Sequence, residues 1–173
     1  LHPLARWNSF SITSVPMGHE ISVTPLQLVT AFSAIANGGA LMRPYVVDRI
    51  VGADGALLRR GEPKVVRQAV PARVAAEVRK MLREVVKSGT GTKADVEGLE
   101  VAGKTGTTQK VDPAPGRYAR GRYISSFVAF APSEGAKICV AVVIDDPRGA
   151  YYGGAVAAPV VAEILKNGMK LVR

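Results

Sequence analysis

Lys104-Thr105-Gly106-Thr107 is the segment whose residue types and spacing can do chemistry. In an extended strand, successive side chains alternate between the two faces of the sheet. Thr105 and Thr107 then fall on one side, Lys104 and Gly106 on the other. Two hydroxyls on one side can donate hydrogen bonds to a substrate carboxylate. The lysine ammonium supplies positive potential for that carboxylate and for a deprotonated nucleophile. Gly106 has no side chain, so a substrate backbone can lie close along the strand, as an added strand would. The backbone N–H of Thr107 can point at a developing oxyanion. Because a Lys-Thr-Gly triplet also arises by chance at turns, the surrounding elements must decide.

Those elements read as β structure. An apolar run, residues 99–102, leads into the motif, and a loop with Pro113 and Pro115 follows. Two further strand-like runs, residues 123–132 and 137–146, turn at residues 133–136. The motif is therefore expected on the edge strand of an antiparallel sheet. A rival motif overlaps it: residues 98–105 match G-x-x-x-x-G-K-[ST], and residues 138–146 imitate a strand ending in a metal-binding aspartate. A phosphate loop needs a buried strand before Gly98 and a helix directly after Lys104. Residues 93–97 are charged and short, and the prolines bar a helix beyond Thr108. The sequence thus weighs against a P-loop nucleotide-binding protein.

The rest of the chain supplies helices to cover the sheet. Residues 1–18 read as irregular, anchored by Trp7. Thr24-Pro25 opens a helix as N-cap and first helical residue, and Asn37-Gly38-Gly39 closes it in left-handed geometry. Residues 45–51 and 56–58 flank a short hairpin turn at Asp54-Gly55, and residues 64–67 are extended. Residues 71–87 form an amphipathic helix with Val74, Val78, Met81, Leu82, Val85 and Val86 on one face. A final helix, residues 158–169, begins at Pro159. Helices packed on an antiparallel sheet make an α+β fold.

Composition limits the function classes. A length of 173 residues with 47% hydrophobic residues suits one domain, or part of one, with a sizeable core. The single cysteine, Cys139, allows no internal disulfide and sits in a strand run, where a buried inert thiol is expected. No run of 18 apolar residues is present. The net charge of +9 raises the prospect of nucleic acid, but the basic residues are dispersed and aromatics are only 6%. A basic balance also suits an anionic setting such as a bacterial envelope. His19 has no metal-spaced partner and is expected at a surface turn. Asp145 and Asp146 are expected as turn and cap residues. Tyr151, Tyr152 and Gly153 are candidate cleft-lining residues, and residues 109–122 a candidate flap over the cleft. No metal site or cofactor is expected.

Several longer blocks carry a resemblance. Residues 17–39, Gly89-Thr90-Gly91-Thr92, residues 101–110 and residues 152–160 resemble, in the same order, blocks of the class B penicillin-binding proteins, and most closely of their division-specific branch. The similarity covers essentially the whole chain, residues 1–173, as the C-terminal half of the transpeptidase domain. It implies the penicillin-binding-protein and β-lactamase-like fold. It also implies a peptidoglycan D,D-transpeptidase that cross-links stem peptides through a serine acyl-enzyme and is acylated by β-lactams. On this resemblance Lys104 tunes the serine and lysine cluster, Thr105 and Thr107 hold the terminal carboxylate with Gly106 between them, and the Thr107 N–H forms half of the oxyanion hole. Stem peptides, β-lactams and cell-division proteins, including a lipid II glycan polymerase, are the implied partners, with no nucleic acid. The implied setting is a membrane-anchored protein with its catalytic domain on the extracytoplasmic face.

One departure stands out. No serine of the chain has Lys three positions on or Asn two positions on, so the family's S-x-x-K and S-x-N elements are missing from these residues. Thr90-x-x-Lys93 and Thr107-x-x-Lys110 fit the first spacing by chance. The chain also opens without Met, as a C-terminal piece would. The nucleophile-bearing half, an N-terminal domain and a membrane anchor are therefore expected outside it, and the isolated chain is expected to be inactive. A non-catalytic penicillin-recognition or sensor module is the alternative reading.

Overall fold

The computed structural model describes residues 3–112 and 117–172. Pro113 and Pro115 of the expected loop, and His2, lie outside the described residues. Three antiparallel strands carry the site: β5 (Ala102–Val111), β6 (Tyr118–Ala131) and β7 (Ile138–Asp145), hydrogen-bonded in that order. Among the described residues β5 is an edge strand, as the sequence predicts.

The period of two in β6 and β7 builds the core. Phe127, Ala129 and Ala131 on β6 and Ile138, Val140, Val142 and Ile144 on β7 share one face. That face packs on Ala158, Val161 and Leu165 of α5 (Ala158–Gly168) and on Val86 at the end of α3 (Ala72–Lys87). Leucine or valine side chains buried this way contribute about 1.5–3 kcal/mol each. Helix α2 (Pro25–Ala36) lies on the opposite face, where the Cys139 thiol donates to the Val29 carbonyl at 3.7 Å. Burial pushes that thiol's pKa up, which keeps it protonated and inert.

Local signals in α2 behave as the sequence predicts. The Gln27 N–H donates to Thr24 Oγ1 at 3.2 Å, and the Thr24 N–H donates back to Gln27 Oε1 at 2.9 Å. Gly38 and Gly39 end the helix with φ of 63° and 90°.

Beyond α2 the chain forms an arm. Strands β1 (Ala40–Met42) and β4 (Val65–Gln68) pair at its base, and β2 (Arg49–Val51) and β3 (Leu57–Arg60) pair towards its tip at Gly55. Both outer strands are exposed along their whole length.

Four expectations change. Residues 3–18 hold short helical turns, Leu4–Arg6, α1 (Ser11–Ser14) and Val15–Met17, rather than irregular chain. The motif strand begins at Ala102, because Glu100 takes φ 46° and Leu99 hydrogen-bonds back to Val96, which turns residues 99–101 into a corner. In α3 the buried edge runs through Ala75 and Val86, while Met81 is 65% exposed. The described parts of residues 109–122 continue the ladder, with Val111 opposite Tyr118, where a loop was expected directly after the motif.

Candidate active site on the β5 edge

The corner before β5 fixes where the motif starts. Arg83 on α3 donates from Nη1 to Asp95 at 2.8 Å and to the Val101 carbonyl at 3.0 Å, and the Ser133 N–H donates to the Glu100 carbonyl at 2.9 Å. Val101 and Ala102 are fully buried there. From this anchor β5 runs out along β6 in unbroken register from Ala102 opposite Phe130 to Gln109 opposite Tyr123. Lys104 and Thr105 lie within the strand, with no helix after them, so the P-loop geometry is not formed.

Alternation puts Thr105 and Thr107 on the same face, as expected. The Thr105 hydroxyl is 3.0 Å from that of Thr90, in the turn after α3. Thr107 Oγ1 accepts the Gly153 N–H at 3.0 Å. Its own proton remains free to donate, since a hydroxyl both donates and accepts. Lys104 leaves from the other face, but its long stem curls around the edge. Its Nζ donates to the Thr105 carbonyl at 3.1 Å and to Thr105 Oγ1 at 3.4 Å. The ammonium therefore reaches the Thr105 hydroxyl at the strand edge, and it pairs with no carboxylate among the described residues.

Glycines make this edge possible by close approach. A Cβ on Gly153 would lie 2.3 Å from the Ser126 carbonyl oxygen and 2.4 Å from that of Gly106. One on Gly154 would lie 2.2 Å from the Thr90 carbonyl oxygen. Helix α4 (Gly153–Val156) can thus press its first turn onto β5 and β6 and present its N–H to Thr107. At Gly106 a Cβ would meet Ser126 Oγ at 2.5 Å, so this glycine also makes room for the neighbouring strand.

The tyrosines lead up to α4. Ser125, fully buried, donates its hydroxyl to the Tyr151 carbonyl. The Tyr151 ring stacks on Tyr123 with centroids 4.1 Å apart, and its hydroxyl donates to that of Tyr152 at 3.3 Å. That hydrogen bond, followed by Coulombic interaction with Tyr151, pushes the exposed Tyr152 phenol up from its usual pKa. Beside the motif these rings border a cavity of about 420 Å³ that Thr107, Thr108 and His19 also line.

His19 sits exposed beside the Gly18 turn, as expected, but the sequence did not anticipate its place beside the motif. It lies 88 positions from Thr107 and carries no motif of its own. Its placement comes from tertiary structure: Gly18 turns at φ 93°, and Glu20 accepts hydrogen bonds from Ser11 and Ser14. The one available signal was its position inside the block at residues 17–39. Asp145 and Asp146 are engaged elsewhere, with Lys110 at 2.6 Å and Arg122 at 2.8 Å, and do not form a carboxylate pair for acid–base work. Among the described residues no group of three His, Cys, Asp or Glu could hold a metal ion.

Similarity to known proteins places the chain in a family. The profile of the penicillin binding protein transpeptidase domain matches residues 2–166. Stage V sporulation protein D of Bacillus subtilis is 37% identical over 171 residues, covering 98% of this chain and 26% of that protein. The probable peptidoglycan D,D-transpeptidase FtsI of Caulobacter vibrioides is 34% identical, covering 94% of this chain and 28% of that protein. The chain spans about a quarter of the length of these relatives. Among solved structures, penicillin binding protein 3 from Mycobacterium tuberculosis in complex with aztreonam superposes with a TM-score of 0.88 at 31% identity, over 99% of this chain and 40% of that one. The apo transpeptidase domain of Burkholderia pseudomallei penicillin-binding protein 3 does so at 0.83 and 32%, over 99% of this chain and 49% of that one. The chain belongs to the penicillin binding protein transpeptidase domain family, within its class B branch.

Proposed function

We propose that this chain supplies the substrate-binding strand of a peptidoglycan D,D-transpeptidase acting in septal wall synthesis. The observation that carries the reading is the Lys104 ammonium drawn onto the Thr105 hydroxyl at an open strand edge, with the Thr107 hydroxyl two residues further along the same strand. An ammonium without a carboxylate partner, on a strand that also carries two hydroxyls, suits a carboxylate, which is acceptor-only when ionised. The terminal carboxylate of a D-Ala-D-Ala stem peptide, or that of a β-lactam, is the anion of this reading.

In the reaction a serine attacks the penultimate carbonyl, D-Ala leaves, and an acyl-enzyme forms. An amine of a neighbouring stem peptide then resolves it. Lys104 favours the deprotonated state of the nucleophilic cluster and draws in the carboxylate. Thr107 donates its hydroxyl proton to that carboxylate, and its N–H stabilises the oxyanion. The serine comes from outside these 173 residues, since none here has the family spacing. An apolar groove of about 810 Å³ between α2 and α3, lined by Leu26, Phe32, Ile35, Val78 and Leu82, is the surface this reading gives to the nucleophile-bearing part of the domain. Among the described residues no helix is long and apolar enough to cross a membrane. Anchoring through another segment, with the catalytic face extracytoplasmic and division proteins as partners, completes the proposal.

The test is the second-order acylation rate of the complete protein with a β-lactam and with donor peptide. Thr107→Val removes the hydroxyl and keeps the N–H. Losing a hydrogen bond to a charged group costs about 1.5–3 kcal/mol, or roughly ten- to a hundredfold in rate. Lys104→Ala loses more, since a charge goes with it. Thr108→Val loses less, because that side chain lies on the other face. Equal rates for Thr107→Val and wild type, at equal folding, would remove the carboxylate role.

A further inference from the structure

The arm between α2 and α3 holds a second cluster of cations that the transpeptidase reading does not use. Its ladder opens in the middle. The Arg43 N–H donates to the Lys64 carbonyl at 2.8 Å, and the Gly61 N–H donates to the Asp48 carbonyl at 2.6 Å. Between these bonds Pro44 and Pro63 interrupt the pairing, since proline has no N–H to give. The limbs separate there around a cavity of about 700 Å³. Arg43, Arg59, Arg60 and Lys64 line it, with Tyr45 and Glu62. Gly61 sets its shape: a Cβ there would lie 2.3 Å from the Val47 carbonyl oxygen and 2.9 Å from the Tyr45 ring.

The charges here are unbalanced. None of these four cations forms an ion pair or a side-chain hydrogen bond among the described residues, whereas the nearby Arg49 pairs with Asp48 at 2.8 Å. Four cationic residues line the cavity, with Glu62 as the one acidic residue of the lining. Like charges gathered around one space repel, and a ligand that neutralises several at once relieves that repulsion. A single carboxylate leaves most of the excess in place. A phosphate or diphosphate group carries more than one charge, and its oxygens match the fork of an arginine guanidinium.

We infer that this cavity is an anion site for a phosphate-bearing ligand. Such a group can come from a soluble phosphate compound or from an anionic phospholipid headgroup. The apolar side chains flanking the cavity, among them Val46 at 99% exposure, are compatible with either source.

Titration calorimetry of the 173-residue chain with inorganic pyrophosphate at low salt tests the site. Saturable binding is expected. Paired substitution Arg59→Gln and Arg60→Gln should weaken it by about tenfold or more. The control pair, Arg73→Gln and Arg120→Gln, removes the same charge from exposed positions on α3 and β6, and should stay within about twofold of wild type. Circular dichroism checks folding, and Arg60→Gln alone serves if the pair unfolds. Sedimentation with phosphatidylglycerol vesicles, against phosphatidylcholine vesicles, separates the sources. Retention that pyrophosphate competes away assigns the site to a lipid headgroup. Pyrophosphate binding without vesicle retention assigns it to a soluble phosphate. The inference fails if neither probe binds, if the control pair loses as much as the arm pair, or if pyrophosphate leaves vesicle retention unchanged.

Discussion

The β5–β6 ladder and the β2–β3 ladder are both antiparallel, but they are held in different ways. Under the first, helices back one face: Phe127, Ala129 and Ala131 pack in the core with α5, and the first N–H of α4 bonds to the Thr107 hydroxyl at the exposed edge. The second has no covered face, and Leu57 and Leu58 lie open to solvent. Hydrogen bonds of the two ladders are alike, so the difference lies in packing. An isolated two-stranded ribbon is marginal in water, whereas a strand backed by a helix is held by its apolar contacts. The site strand thus keeps its side chains in fixed positions, which a carboxylate-binding edge requires. The arm can change shape around whatever it binds.

Core truncation should separate the two ladders most strongly. Phe127→Ala removes a fully buried ring and should cost about 3–5 kcal/mol. Leu58→Ala on the arm, where the side chain is 68% exposed, should cost less than about 0.5 kcal/mol. Denaturant midpoints with unchanged slopes would read both. Similar losses at the two positions would mean that the arm is packed in solution and would break the comparison.

Glycine substitution sharpens it at the site itself. Gly153→Ala forces a methyl against two backbone carbonyls, neither of which can swing away, and should cost about 1–3 kcal/mol. It should also slow acylation of the complete protein, because lifting α4 removes the N–H that orients the Thr107 hydroxyl. Gly55→Ala at the arm tip meets open space and suffers only from its φ of 79°, about 1 kcal/mol. It should leave acylation unchanged. Thermal unfolding and acylation rates measured together give both readings. A Gly153→Ala protein with normal acylation would show that α4 does not set the Thr107 geometry.

The same contrast explains what could be read from the sequence. Thr24-Pro25, the strand-like runs at residues 123–132 and 137–146, and the alternation of Thr105 and Thr107 are local patterns, and the structure follows them. The start of β5 was misplaced because Leu99 and Val101 are apolar, yet they flank an exposed Glu100 in a corner and only Val101 is fully buried there. Apolar character reports burial and does not by itself report extension. Val74 and Met81 fit the helical period of α3, but only the edge through Ala75 and Val86 meets the core. The curl of Lys104 back to Thr105 depends on a flexible stem that alternation ignores. His19 beside Thr107, and the opening of the arm around four cations, arise from contacts between distant segments, which no local pattern encodes.

A small, salt-dependent effect is expected where the site strand leaves the core. Beyond Gln109 the register with β6 slips, and Val111 stands opposite Tyr118. Here the Lys110–Asp145 pair, at 2.6 Å, links β5 to the end of β7 across β6. Asp145 is 67% exposed, so water and salt screen the pair. Lys110→Met keeps most of the stem and removes the charge. It should cost about 0.2–1 kcal/mol at low ionic strength, shrinking as salt is added. Chemical denaturation in urea, which leaves ionic strength free to vary, is the suitable measurement. A loss that stays above about 2 kcal/mol at high salt would place this end of the ladder with the buried strand. A small, salt-sensitive loss would place it with the arm, and would put the limit of the rigid site between Thr107 and Lys110.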